Sequence, residues 1–308
     1  MNYWLTLASF IIGILVGLTG MGGGALMTPV LVVLFGINPL SAVSSDLVAS
    51  AVMKPIGSLV HLRHGTVDFR LVGWLALGSV PSAFCGVLII EALGGSSAVE
   101  TVVQIALGAA LVLAALTITL KAYLQLLERT RGRGKETAQA EQPTAGIRIR
   151  PVPTVLIGVV GGLVVGMTSV GSGSVMIVSL LFLYPALTAG RLVGTDLTQA
   201  VPLVASAAVG HLIFGDVQFG VTLPLLIGNI PGVYLGARLS ARAPQGVIRR
   251  ALAVVLLASG AKLLGAGNLV LLLVVVAALV FGLPGWMLLR RAYYRSARSA
   301  EKERTPVG

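Results

Sequence analysis

Cysteine and charge are both scarce in this chain. Cys85 is the single cysteine among 308 residues, and the three histidines are scattered. An internal disulfide, a cysteine-rich zinc site and an iron–sulfur cluster are therefore excluded, and neither a metal nor a cofactor is expected. Charged residues make up 11% of the chain, against about 25% in an ordinary soluble domain. Lys and Arg are absent from the first 53 residues. The N-terminus thus lacks the positive region of a signal peptide and is expected to be a mature membrane segment. The alternation of polar and apolar residues that builds an outer-membrane barrel is missing as well.

What the chain has is apolar surface: 56% hydrophobic residues and a mean hydropathy of +0.95. Long runs nearly free of charge fit helices of roughly 20 residues crossing a hydrocarbon core about 30 Å thick. The expected fold class is an all-α polytopic membrane protein in the cytoplasmic membrane, with the lipid bilayer as its partner and a homodimer left open. The net charge of +11 does not call for a nucleic-acid partner, because Arg63, Arg70, Arg238, Arg242, Arg249 and Arg250 flank apolar runs. Their placement is a topology signal.

The chain also contains itself twice. Gly17-Leu-Thr-Gly-Met-Gly-Gly-Gly-Ala-Leu-Met reappears as Gly166-Met-Thr-Ser-Val-Gly-Ser-Gly-Ser-Val-Met, and with an offset of 150 Asp46 matches Asp196, His61 matches His211 and Gly78 matches Gly228. Duplicated hydrophobic units with glycine-broken segments at corresponding positions are a mark of secondary transporters. The expected organisation is a first repeat over 1–120, a basic cytoplasmic linker over 121–150, a second repeat over 151–266, an extra helix over 267–290 and a basic cytoplasmic tail over 291–308. Glu100 aligns with Arg250, so corresponding loops carry opposite charge and are expected on opposite sides of the membrane. This makes the repeat inverted, with the N-terminus outside. Segments 3–36 and 153–186 are too long for one helix and too glycine-rich to be continuous. Each is expected to form a hairpin, followed by three crossings at 40–62, 69–91 and 98–120 in the first half and at 189–213, 219–240 and 247–265 in the second.

The glycine turns are the first candidate site. Around Gly22, Gly23 and Gly24 the backbone can expose successive N–H groups at a helix N-terminus, a geometry that binds anions. Thr19 precedes that turn, and the second copy offers Thr168, Gly171, Ser172, Gly173 and Ser174. Close helix packing through small residues is the competing reading, favoured for Gly13, Gly17, Gly162 and Gly166. A dinucleotide fingerprint is ruled out, since no strand–turn–helix unit surrounds the glycines. Asp46 and Asp196 lie near the starts of equivalent helices, where they can cap the first turn or couple transport to protons. Lys54 has Val204 as its counterpart; it can attract an anion, pair with Asp46, or reach out to the membrane surface. His61 and His211 sit at far helix ends as proton-handling candidates. Gln199 and Asn229 add polar character near the predicted centre, Asn229 as an anion donor, whereas Pro202 and Pro231 shape helices.

Gly13-x3-Gly17-x2-Gly20-x-Gly22-Gly23-Gly24 with Pro29, Ala42-Val-Ser-Ser-Asp46, the stretch from Lys54 to Gly65 and the Gly194-Thr-Asp196 echo together resemble the TauE/SafE family of sulfite and organosulfonate exporters. The resemblance spans roughly residues 8–265. It implies passage of sulfite or small organosulfonate anions across the membrane, mostly as export, with a substrate bound between the two hairpin tips. A passive small-anion channel or a permease for another oxyanion is the rival reading. An intramembrane enzyme is unsupported, because no converging Ser/His/Asp set or carboxylate pair is present.

Overall fold

The computed structural model describes residues 3–19, 23–63, 65–93, 96–130, 149–173, 175–184, 187, 189–239 and 245–267, with 269, 271 and 273. The expected helix at 267–290, the tail at 291–308 and most of the linker lie outside the described residues, as do Gly22 and Ser174. Among the described residues the chain is all helix. The elements are α1 (Tyr3–Thr19), α2 (Gly24–Val33), α3 (Pro39–Arg63), α4 (Phe69–Ala92), α5 (Ser96–Thr130), α6 (Pro151–Thr168), α7 (Val175–Leu183), α8 (Ala189–Phe214), α9 (Phe219–Leu239) and α10 (Gln245–Leu263). Five of these, α4, α5, α6, α8 and α9, are long and apolar enough to cross a membrane.

The expected glycine breaks are both present. In the second half the break makes a closed hairpin: the Tyr184 hydroxyl at the end of α7 lies 2.6 Å from Thr154 Oγ1 and accepts the Arg150 N–H at 2.9 Å. The end of α7 is thereby fastened to the beginning of α6. α2 and α7 have only 10 and 9 residues, about 15 Å of helix, and neither can span a bilayer. The linker reading needs one correction. α5 runs on to Thr130, because Lys121–Leu127 alternates good helix formers that the charge count had hidden.

Burial is arranged inside out. Ser41, Ser44, Ser45, Asp46, Ser50, Lys54 and Ser58 on α3 are buried, while Trp4, Leu7, Leu156, Val160, Leu212, Ile213, Leu223 and Ile227 are exposed. A membrane interior selects this pattern, since lipid solvates aliphatic side chains and offers nothing to a hydroxyl. α3 is absent from the five apolar spans for that reason: its 25 residues would cross, but its polar side chains face protein.

The hairpin helices pack on the opposite half. α1 lies along α9, with the Ser9 hydroxyl donating to Pro224 O at 3.0 Å and Gly17 Cα close beneath Gly236. α6 lies along α4 in the same way, with Gly162 against Ser79 and Ser82 and Gly166 against the Ala83 carbonyl. Residue numbers rise together along both pairs, so each pair is parallel. Equivalent helices, by contrast, pack antiparallel. Ser44 and Ser58 of α3 meet His211 and Thr198 of α8, and Gln104 of α5 meets Leu263 of α10. Two further bonds repeat across the halves: Ser45 Oγ accepts the Gln218 N–H and Thr195 Oγ1 accepts the Asp68 N–H, both at 3.1 Å.

Backbone contact at the parallel crossings leaves no room for a side chain. A methyl group at Gly158 would collide with the Leu75 carbonyl, whereas one at Gly73 would meet nothing within 4 Å. Gly158→Val is expected to cost about 3 kcal/mol or to abolish the folded state. Gly73→Ala is expected to stabilise by up to ~1 kcal/mol through helix propensity. Thermal unfolding of the purified variants in detergent checks both.

Candidate functional site

α6 ends where its chain turns left-handed. Ser169, with φ 59°, caps the helix and sends its N–H back to Val165 O at 2.8 Å. Gly171 and Gly173 follow with φ 130° and 113°, a conformation only glycine takes without strain. Val175 and Met176 then direct their N–H groups to Gly171 O, which starts α7. Thr168 steadies the turn by donating to Val164 O at 2.6 Å and accepting the Val170 N–H at 3.2 Å.

This second turn meets the first at Gly24. A methyl group on Gly24 would overlap the backbone carbonyl of Ser169, and one on Gly23 would lie 2.9 Å from the Met53 methyl and 3.9 Å from Ser50 Oγ. The tips of the two hairpins therefore touch, with α3 alongside. Asp46, 1% exposed, is the tie between them: its Oδ2 accepts from Thr28 of α2 at 3.0 Å and from Ser169 at 2.6 Å. About two turns further along α3, Lys54 is buried and donates to Ser172 Oγ at 2.5 Å. Its ammonium is attracted by both Asp196 and Asp46. Three N–H donors on an ammonium and one acceptor used leave two for a ligand.

Capping is not the role of either aspartate. α3 begins at Pro39, with Asn38 Oδ1 accepting the Leu40 N–H at 2.9 Å, and α8 begins at Ala189. Asp46 and Asp196 each fall beyond the first turn. Lys54 does not reach for the membrane surface either, since its ammonium is inside and bonded to the second hairpin.

The family model described as "Sulfite exporter TauE/SafE" matches residues 5–263. The chain belongs to the TauE/SafE family. It is 38% identical over 265 residues, 86% of this chain and the whole of the relative, to "Probable membrane transporter protein YjnA" of Bacillus subtilis (strain 168). It is 24% identical to "Probable membrane transporter protein YdhB" of the same organism, over 80% of this chain and 94% of that one. "Probable membrane transporter protein YunE" is 25% identical over 85% and 97%. No solved structure matches. The protein is thus a multi-pass membrane transporter of the TauE/SafE family.

In this family member the structure gathers Gly23, Gly24, Asp46, Lys54, Thr168, Gly171, Ser172 and Gly173 around the meeting tips. The side chains of Thr19 and His61 lie outside the described residues. His211 stands apart from the tips. It is fully buried, and a carbonyl can only accept, so its Nε2–H donates to Gly166 O at 2.7 Å, and Nδ1 is hydrogen-bonded to Ser44 Oγ at 2.8 Å. Ser44 Oγ in turn accepts the Asp216 N–H at 3.3 Å. Both ring nitrogens are committed to holding α8 against α6 and α3. Asn229 lies on α9, at the crossing with Gly13, whose added methyl would be 2.9 Å from the Asn229 carbonyl oxygen.

Two participants escape sequence reasoning, and a third, Gln199, is legible there only as polar character near the centre. Thr28 and Ser169 read as ordinary hydroxyls, and only the fold aims them at Asp46. Gln199, fully buried, accepts from Ser79 Oγ at 3.0 Å and directs Nε2 to Met176 Sδ at 2.7 Å and to Asp196 Oδ1 at 3.4 Å. Its signal was available in the repeat, where its counterpart is Ala49. A double-mutant cycle of Asp46→Asn and Ser169→Ala is expected to give a coupling energy of about 1–3 kcal/mol in unfolding measurements. Additive effects would mean that the bond does not hold the tips together.

Proposed function

We propose that this transporter moves sulfite or small organosulfonate anions out of the cytoplasm by alternating access, with the substrate bound between the hairpin tips. The observation that carries the reading is the buried Lys54 ammonium on the glycine–serine turn of α6–α7, with two donors to spare. A tetrahedral sulfonate oxygen set suits such a cation together with the Ser172 hydroxyl and the N–H groups of 23–24 and 171–173. The family description names sulfite, which agrees with this donor set. Thr19, Gly22, Ser174 and Asn229 complete the proposed donors, while Thr168, whose one hydroxyl proton goes to Val164 O, shapes the turn instead.

Alternating access rests on an inverted repeat, with a pseudo-twofold axis in the membrane plane. Supporting it is the antiparallel packing of α3 on α8 and of α5 on α10, the arrangement produced by an axis perpendicular to the helices. Two mirror-related states of similar energy follow from such symmetry. Coupling is assigned to protons and to the buried carboxylates Asp46 and Asp196. His61 and His211 are secondary candidates, since both ring nitrogens of His211 are already engaged in joining helices. The linker and the C-terminus are placed on the cytoplasmic side by their basic residues.

Proteoliposome flux tests the reading, with sulfite, sulfoacetate and taurine as substrates, sulfate and acetate as controls, and a pH gradient imposed or withheld. Saturable, countertransport-competent flux of the sulfur anions is expected. Lys54→Gln is expected to raise KM at least ~10-fold, the effect of about 1.4 kcal/mol in binding. Ser172→Ala is expected to act in the same direction but less. Flux without saturation or countertransport would establish a channel instead, and absence of flux for every sulfur anion would overturn the substrate assignment.

A further inference from the structure

The two halves carry the same aspartate and serve it differently. In the second half an amide lies between α4 and the α8 carboxylate: Ser79 donates to Gln199, and Gln199 donates to Asp196. The 150-residue offset maps Ser79, Gln199 and Asp196 onto Asn229, Ala49 and Asp46. In the first half, therefore, the bridging amide is reduced to a methyl group. The matching bonds of Ser45 with Gln218 and of Thr195 with Asp68 show that α3 and α8 meet the opposite half alike. By that correspondence Asn229 faces the Ala49 side of α3.

Among the described residues, three oxygens around this gap have no hydrogen-bond partner. Thr28 and Ser169 both bond Oδ2 of Asp46, and Oδ1 has no described hydrogen bond. Asn229 is 4% exposed, and its Oδ1 is the one fully buried side-chain nitrogen or oxygen among the described residues with no partner. Ser50, 3% exposed and one turn beyond Asp46, has no described hydrogen bond. Leaving a buried amide oxygen unpartnered costs about 1–3 kcal/mol. The Lys54 ammonium attracts both Asp196 and Asp46, so its single positive charge is shared between two buried carboxylates.

We propose that a monovalent cation binds between Asp46 and Asn229, with Ser50 beside it, and that the Gln199 amide is its built-in substitute in the second half. The chemistry is one positive charge shared among oxygen acceptors. It can be supplied by a sodium ion on the three side chains or by a proton on Asp46 directed toward Asn229. The charged group that acts on Asp46 is Lys54 on its own helix, and Asp196 and His211 lie on α8, the helix packed against α3. α2 and α6 carry no ionisable residue, and Tyr234 and Arg238 of α9 are exposed. The use of this cation in coupling rests on the transport reading above, but its binding does not.

Thermal unfolding of the full chain in detergent tests the site without any substrate. One arm replaces choline with sodium at constant ionic strength and mildly alkaline pH; the other lowers pH in choline. A rise of the midpoint by ~3 °C is expected in one arm, as for a ligand that binds the folded state alone. A sodium response identifies a bound ion, and a response to acid alone identifies the proton. The transplant Ala49→Gln with Asn229→Ser, which copies the second-half pair into the first, is expected to weaken the response at least ~10-fold, and Asp46→Asn to abolish it. Should the transplant not fold, Asn229→Ser alone is expected to weaken the response in the same direction. Absence of a response in the unaltered protein, or its full survival in Asp46→Asn and Asn229→Ser, would overturn the proposal. An intact cation response with no flux of sulfur anions would instead count against the substrate assignment alone.

Discussion

Everything at the centre of this molecule is organised by the need to keep the Asp46 carboxylate inside a membrane protein. A lone buried carboxylate costs several kcal/mol, and the fold offsets that cost with hydroxyls from two different hairpins. Because Thr28 comes from α2 and Ser169 from the turn after α6, the bonds that stabilise the charge also fix where the two broken segments meet. The left-handed Ser169, which is sterically disfavoured by about 1–2 kcal/mol, is sustained by the same contact. Stabilisation of a charge and placement of the glycine–serine turn are thus one interaction.

Duplication gave the molecule two copies of each element, and the polar groups at its centre lie where the copies have diverged. Shared features are architectural: the glycine crossings, the Ser45 and Thr195 bonds, the breaks after Thr19 and Thr168. Lys54 against Val204, Gln199 against Ala49 and Ser172 against Gly23 are the departures. All three concentrate polar groups in different places in the two halves, so a symmetric scaffold surrounds an asymmetric centre.

Much of the fold was legible because glycine and hydrophobicity speak locally. The hairpin breaks were marked by glycine clusters, and every described helix falls on a segment that the apolar runs delimit. The end of α5 was misread, since basic residues suggested a linker while the chain kept helix-forming composition through Leu127. Asp46 was visible as an intramembrane acid, but its distance from the helix start could not be read without knowing that Asn38 and Pro39 open α3. Partners such as Thr28 and Ser169 are 18 and 123 residues from Asp46. No periodicity encodes which of many hydroxyls a folded bundle will turn toward one carboxylate.

The parallel pairing of α1 with α9 has a consequence for how the protein is made. α1 ends at residue 19 and its packing partner begins at residue 219. At a synthesis rate of ~5–20 residues per second, the first helix leaves the ribosome roughly 10–40 s before the surface it fits. Through that interval its glycine face has only lipid, or a chaperone of the insertion machinery, to lie against. The first half therefore lacks the surface that α1 packs against until α9 has been made.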